Sequence, residues 1–148
     1  MPVLVPPVRT ALWAAAQQVV ARRILAPRRP DRLQGVLAAG CIGVAAASAG
    51  GAARRFARRR TTVHPWAPEQ SSALVTDGPN AVSRNPMYVG MALVLVGTGL
   101  LSGRPVTSVA AAGLVATLTP QVRREEAALA STFGDEWTAY ADRVRRWL

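Results

Sequence analysis

Three groups of side chains in this chain have the types and spacing to do chemistry. The first is Arg84, in the run Ser83-Arg84-Asn85-Pro86-Met87-Tyr88-Val89-Gly90. Pro86 suits the first position of a helix, where its missing N–H costs nothing. Asn85 just before it is biased away from helical backbone and suits the cap. Arg84 is therefore expected at a helix N-terminus, where unpaired N–H groups and the dipole favour an anion. Its guanidinium can grip a carboxylate through two bonds. The plainer alternative is an interfacial arginine ahead of an ordinary helix start.

The second group is Arg123-Arg124-Glu125-Glu126-Ala127-Ala128-Leu129. Neighbouring residues on a helix point about 100° apart, so the two glutamates cannot face each other as an acid–base pair. One can look into a helical bundle while the other takes an arginine, and carboxylates beside an apolar span usually mark a binding site. The alternative is a solvated ion-pair face with Arg123 and Arg124. The third group is His64, the only histidine, in Thr61-Thr62-Val63-His64-Pro65. One histidine and one cysteine, Cys41, exclude a multi-histidine or cysteine-rich metal centre and a disulfide framework. No phosphate-binding P-loop is present, and the serines lack a nucleophile-elbow context. Gly97-Thr98-Gly99 lies within an apolar run rather than after a strand, which reads as helix packing. Cys41 reads as a small packing residue.

Helices of membrane length would have to position these groups. The chain has 148 residues, enough for one domain or one small bundle. Half of the residues are apolar and only 5% are aromatic, and eighteen basic residues, all arginine, face eight acidic ones for a formal charge of +10. The arginines come in bursts (22–32, 54–60, 123–124, 143–146) between apolar runs, a pattern of spans with basic flanks rather than of a nucleic-acid surface. The uncharged run 33–53 has about the ~20 residues a span needs. Runs 87–101 and 105–119 are each ~15 residues, about 22 Å as helix. Between them Ser102-Gly103-Arg104 permits only an antiparallel hairpin. A weaker first span is expected to start near Pro7, and it is read as a span rather than a cleaved signal because no basic region precedes it. After Gly134, residues Trp137, Tyr140, Val144 and Trp147 recur at helical spacing, which predicts an amphipathic C-terminal helix at the interface; the plainer alternative is that the stripe serves only packing. The expected fold is all-α, a polytopic membrane bundle of about four spans in a single domain over 1–148. Residues 1–32 form its weak first span and basic linker. Basic flanks favour the cytoplasmic face for the Arg54–Arg60 cluster and the basic C-terminus, although the five arginines between 22 and 32 do not fit that side if the first two segments both cross.

Read together and in order, Thr61-Thr62-Val63-His64-Pro65, Leu74-Val75-Thr76-Asp77-Gly78-Pro79, Arg84-Asn85-Pro86-Met87-Tyr88-Val89-Gly90, Glu125-Glu126 with Leu129, and Phe133-Gly134 through Tyr140 to Arg143-Val144-Arg145-Arg146-Trp147 resemble the isoprenylcysteine carboxyl methyltransferase and phospholipid methyltransferase superfamily. The resemblance covers about residues 33 to 148. It implies a small integral-membrane enzyme that transfers a methyl group from S-adenosyl-L-methionine to a lipophilic or membrane-embedded carboxylate, amine or thiol. Carried over by position, Arg84, Asn85, Pro86, Tyr88 and Gly90 form the cofactor pocket, His64 and Pro65 line it, and Glu125, Glu126 and Leu129 close it. Arg84, Glu125 and His64 are the implied catalytic groups, and Gly97 and Gly99 resemble a glycine pair of phospholipid methyltransferases. The partners implied are the bilayer and a lipid or lipophilic acceptor, with no metal and no nucleic acid. Two departures stand out: Asn80-Ala81-Val82 where an aromatic residue is usual, and His64 where bacterial relatives often carry Asn. The competing readings are a non-catalytic membrane scaffold that retains the architecture and a membrane reductase using a nicotinamide cofactor.

Overall fold

The structure is a computed structural model that describes residues 5–25, 28–59 and 73–148; His64 and Pro65 lie outside the described residues. It is all-helical, with no strand among the described residues. Helix α1 spans Pro6–Val19, α2 Arg32–Arg59, α3 Pro86–Leu101 and α4 Val109–Arg143. Local chemistry explains most of the ends. Pro6 opens α1 at its first position, so the proline that interrupts the apolar run starts the helix. α2 opens on a reciprocal cap: Gln34 N–H donates to Asp31 Oδ1 at 2.8 Å, and Asp31 N–H donates to Gln34 Oε1 at 3.1 Å. Pro86 opens α3 as expected. Asn85 holds the cap position without a capping bond from its side chain.

α3 ends in a tight turn. Ser102 N–H donates to Thr98 O at 3.1 Å, and Gly103 follows with φ of 66°, the left-handed conformation that closes many helices. A single 3-10 turn, Pro105–Ser108, then leads into α4. The hairpin expected from Ser102-Gly103-Arg104 is thus formed. α4 carries Pro120 in its interior and breaks at Gly134, whose φ of 49° and ψ of −119° are open to glycine and strained for other residues. The interfacial helix expected after Gly134 is the far arm of α4, bent back by this break, and it ends at Arg143. Its aromatic stripe does not lie outward: Trp137 and Tyr140 are buried in a cluster with Leu74, Leu129, Phe133 and Val144.

α3 is the central helix, packed against the other three. Toward α4, Leu95, Leu114, Leu118 and Val122 are fully buried with Tyr88, Ala110 and Ala111, and Trp13 of α1 closes the cluster. Toward α2 the approach depends on small residues. A Cβ on Gly97 would sit 2.9 Å from Ile42 Cγ1 and 3.2 Å from Ala38 O, and one on Gly90 would sit 3.4 Å from Ala45 O. A Cβ on Gly99 would meet Ser108 and Gln17, so both members of the glycine pair are consumed by helix packing. The polar residue of α1 is also accounted for, since Gln17 Nε2 donates to Leu95 O at 2.9 Å. Large apolar side chains face outward on α1 (Leu12), α2 (Val36) and α4 (Val109). Among the described residues one helical stretch, Pro105–Arg143, is long and apolar enough to cross a membrane, and Arg32–Ser48 and Pro86–Leu101 are shorter apolar helices.

Close α2–α3 packing has a measurable signature. Gly97→Val is expected to lower stability by about 1–3 kcal/mol, because backbone at Ala38 cannot move aside like a side-chain end. Gly43 on the open side of α2 has no atom near its missing Cβ. Gly43→Ala is expected to gain about 0.5–1 kcal/mol from helix propensity. Unfolding of both variants in detergent checks the pair; equal and small effects would show that α2 and α3 do not touch there.

Candidate active site

The candidate groups gather where α3 begins and the apolar part of α4 ends. Arg84 lies just ahead of α3, and Glu126 lies on α4 beyond the charged pair Arg123-Arg124. Arg84 Nε donates to Glu126 Oε1 at 3.0 Å. Glu126 Oε2 accepts two bonds from Arg146, from Nε at 2.8 Å and from Nη2 at 2.6 Å. A single carboxylate therefore lies between two guanidiniums. The side chains of Arg84 and Glu126 are only 13% and 11% exposed, while Arg146 keeps 33%.

Arg84 does more than pair with an acid. Its Nη1 donates to Ala141 O at 2.8 Å and Val144 O at 2.7 Å, satisfying carbonyls that the end of α4 leaves open. Its backbone N–H donates to Arg145 O at 2.9 Å, and its guanidinium carbon lies 5.8 Å from the centre of the Trp137 ring. Asn85 Nδ2 donates to Arg146 O at 3.1 Å, and Ser83 Oγ donates to the same carbonyl at 3.3 Å. The Tyr140 hydroxyl donates to Asn80 O at 2.7 Å. These bonds draw the C-terminal segment back over the start of α3. Nε and Nη1 of Arg84 are thus committed, and Nη2 makes no hydrogen bond among the described residues.

Glu125 has different company. The Tyr88 hydroxyl donates to its Oε1 at 3.0 Å, and Gln121 Nε2, one helical turn earlier, donates to the same oxygen at 2.9 Å. Gln121 Oε1 is buried with no partner among the described residues. Burial pushes the Glu125 carboxyl above its ordinary value, against the bonds from Gln121 and Tyr88, and the Glu126 charge adds to the rise. Burial would raise Glu126 too, but the bonds from Arg146 and Arg84 outweigh it and hold that carboxyl below its ordinary value. Two adjacent carboxyls are thus driven in opposite directions, Glu125 upward chiefly by burial and Glu126 downward by its arginines, an arrangement typical of sites that divide roles between acids.

Of the residues singled out in the sequence, Arg84, Asn85, Tyr88, Glu125 and Glu126 come together, and Pro86 is buried beside them at the first turn of α3. Leu129 packs one turn farther along, in the Trp137 cluster. Gly90 faces α2 at Ala45, where it serves packing. Gln121 and Arg146 join the site without having been assigned to it. Gln121 carried a signal, being a polar residue in an apolar run four positions before Glu125, on the same helical face. Nothing in the burst Arg143, Arg145, Arg146 marks one arginine above the others.

Against this geometry stands a comparison with known families. The family model for phospholipid methyltransferase matches residues 33–136, which takes in α2, α3, Arg84 and both glutamates. The chain belongs to that family, and the membership implies a methyltransferase. No curated protein and no solved structure matches the chain.

The ion-paired carboxylate predicts an acid limb in stability. An unfolded glutamate titrates near ~4.3. Since the folded Glu126 titrates lower, its contribution is fully present above about pH 4.3 and is lost as pH falls through the folded value. Glu126→Gln should cost about 2–3 kcal/mol at pH 7, less than the ~3–5 of a fully buried pair because Arg146 remains partly in water. The gap between variant and parent should then close on acidification. Urea unfolding in detergent at pH 7 and pH 3.5 reads this difference, and since Glu125 carries the opposite sign, parent and variant must be compared at each pH. A gap of the same size at both values would exclude the ion pair as its source.

Proposed function

We propose that this chain is an integral-membrane methyltransferase that uses S-adenosyl-L-methionine and acts on a lipophilic or membrane-embedded acceptor bearing a carboxylate, amine or thiol. The observation that carries this reading is the convergence of Arg84, Glu125 and Glu126 at one end of α3 and α4 in a chain of the phospholipid methyltransferase family. The apolar outward faces support an arrangement of about four spans. α2 has 28 residues, long enough at ~1.5 Å per residue to cross. α3, with 16 residues, needs its flanks to complete a span. The catalytic end is assigned to the cytoplasmic face of the cytoplasmic membrane.

The residues present fit the cofactor's chemistry. It contributes a methyl group on a positively charged sulfur, together with a carboxylate, an amino group and ribose hydroxyls. The Nη2 edge of Arg84 and the half-exposed Arg146 are donors suited to the carboxylate. The orphaned Gln121 Oε1 and the Glu125 carboxylate are acceptors suited to the amino group or a hydroxyl. Asn85, Pro86 and Tyr88 shape the start of α3 around them, with Glu126 and Leu129 behind them on α4; Gly90, His64 and Pro65 are assigned to the pocket by the resemblance alone.

Methyl transfer is an in-line displacement, so the chain's tasks are alignment and preorganised polarity rather than strong acid–base work. A carboxylate acceptor needs no base. For an amine or thiol, Glu125, whose carboxyl burial pushes above its ordinary value, or His64 serves to take the proton. Packing of the C-terminal segment over Arg84 limits water, and the acceptor enters sideways from the lipid.

Calorimetric titration of S-adenosyl-L-methionine into the detergent-purified chain tests the proposal. Arg84→Ala and Glu125→Gln should each weaken binding by on the order of 2 kcal/mol or more, as expected for a desolvated charged contact. No affinity in the parent chain would end the enzyme reading. Unchanged affinity in both variants would favour a scaffold, and displacement by a nicotinamide cofactor would favour a reductase.

A further inference from the structure

The proposed methyl transfer uses one end of the bundle and leaves the arginines between 22 and 32 at the other. A cavity of ≈ 510 Å³ lies there, between the end of α1 and the α3–α4 turn, lined by Gln18, Arg22, Arg28, Thr98, Leu101 and Ser102 among others. That volume falls within the ~300–1,000 Å³ of small-molecule sites. We propose that this cavity binds the phosphate of an anionic phospholipid, held between Arg22 and Arg28.

Four observations carry the assignment. Arg22 stands in a single π turn, Val20–Ile24, closed by Leu25 N–H donating to Val20 O at 3.1 Å, and such insertions concentrate at functional sites. Arg28 is set by a close backbone approach: a Cβ on Gly103 would lie 2.6 Å from Arg28 O, so the linker is seated on the hairpin turn by a residue with no side chain. The hydroxyls in the lining already donate inward, Thr98 Oγ1 to Val94 O at 2.9 Å and Ser102 Oγ to Gly99 O at 2.6 Å. The donors left to face the cavity are therefore the Gln18 amide and the two exposed guanidiniums, and neither guanidinium makes a hydrogen bond among the described residues. Finally, the only acid within residues 1–32 is Asp31, and its carboxylate is occupied in the cap of α2.

Two convergent cations without a carboxylate select an anion with several oxygens. The apolar side chains beside them, Ile24 at 70% and Leu101 at 46% exposed, extend outward where acyl chains would run. Basic pockets between helices at a membrane surface hold lipid phosphates in this way. The lipid source of the phosphate rests on the membrane reading above, whereas the anion chemistry does not.

Native mass spectrometry of the full chain in detergent, titrated separately with phosphatidylglycerol, phosphatidylcholine and inorganic phosphate, tests this. One retained phosphatidylglycerol is expected, weakened roughly 30-fold in Arg22→Gln with Arg28→Gln, at about a factor of five per arginine. Arg22→Lys with Arg28→Lys should keep most of the affinity, and Arg123→Gln with Arg124→Gln should leave it unchanged. Retention of inorganic phosphate in place of lipid, lost in the same glutamine variant, would uphold the anion site and overturn its lipid source. Equal retention of both lipids, no retention of any probe, or affinity indifferent to the glutamine variant would overturn the site. S-adenosyl-L-methionine affinity is read separately on the same samples, so the two proposals fail independently.

Discussion

A carboxylate caught between two guanidiniums organises this molecule. Glu126 lies mostly out of water, and a lone charge there would be costly; Arg84 on one oxygen and Arg146 on the other make it tolerable. Each of the three residues belongs to a different segment: the loop before α3, the shaft of α4 and the tail after it. Satisfying one buried charge therefore closes a loop of chain, and the remaining bonds of Arg84 to Ala141 and Val144 carbonyls follow from that closure. The dependence runs through Gly134 as well, because the tail reaches Arg84 only if α4 bends there.

This clasp also separates the fates of two adjacent acids. Glu126 has its lone pairs occupied by arginines and stays ionised as a structural anion. Glu125, one residue earlier, turns toward α3, where its partners Tyr88 and Gln121 are neutral. Helical geometry forces the divergence, since consecutive side chains cannot share a face. The result is arginine donors on one side of the site and, on the other, an acceptor set made of Glu125 with its neutral partners and Gln121 Oε1 with none among the described residues.

Placement of the clasp depends on how closely the helices approach. α3 touches α2 through Gly90 and Gly97 and reaches α1 and the α4 turn through Gly99, so its polar start is carried at a fixed height relative to Glu125 and Glu126. Small-residue packing of this kind suits an environment where apolar side chains gain little by facing one another. Gly103 at the opposite end shares the positive φ of Gly134, and it also leaves room for the linker, since a side chain there would run into Arg28 backbone. The two ends of the bundle thus carry separate cationic features, one neutralised internally by Glu126 and one left open.

Periodicity, proline position and residue type in the chain alone determined the helices, the hairpin at Ser102-Gly103-Arg104, the start of α3 at Pro86 and the identity of Arg84, Glu125 and Glu126 as the residues to watch. Those are local properties: a proline presets its own backbone, and an apolar run shows its helical potential without its neighbours. Which acid would meet which arginine was not local. Arg84 and Glu126 are 42 positions apart, and the choice of Arg146 from three nearby arginines follows only from the direction in which the chain leaves Gly134. The aromatic stripe after Gly134 shows the same limit, since its spacing suits an interface helix equally well until the bend turns Trp137 and Tyr140 inward. Tertiary structure decided these pairings because burial, not sequence distance, sets which charges must find each other.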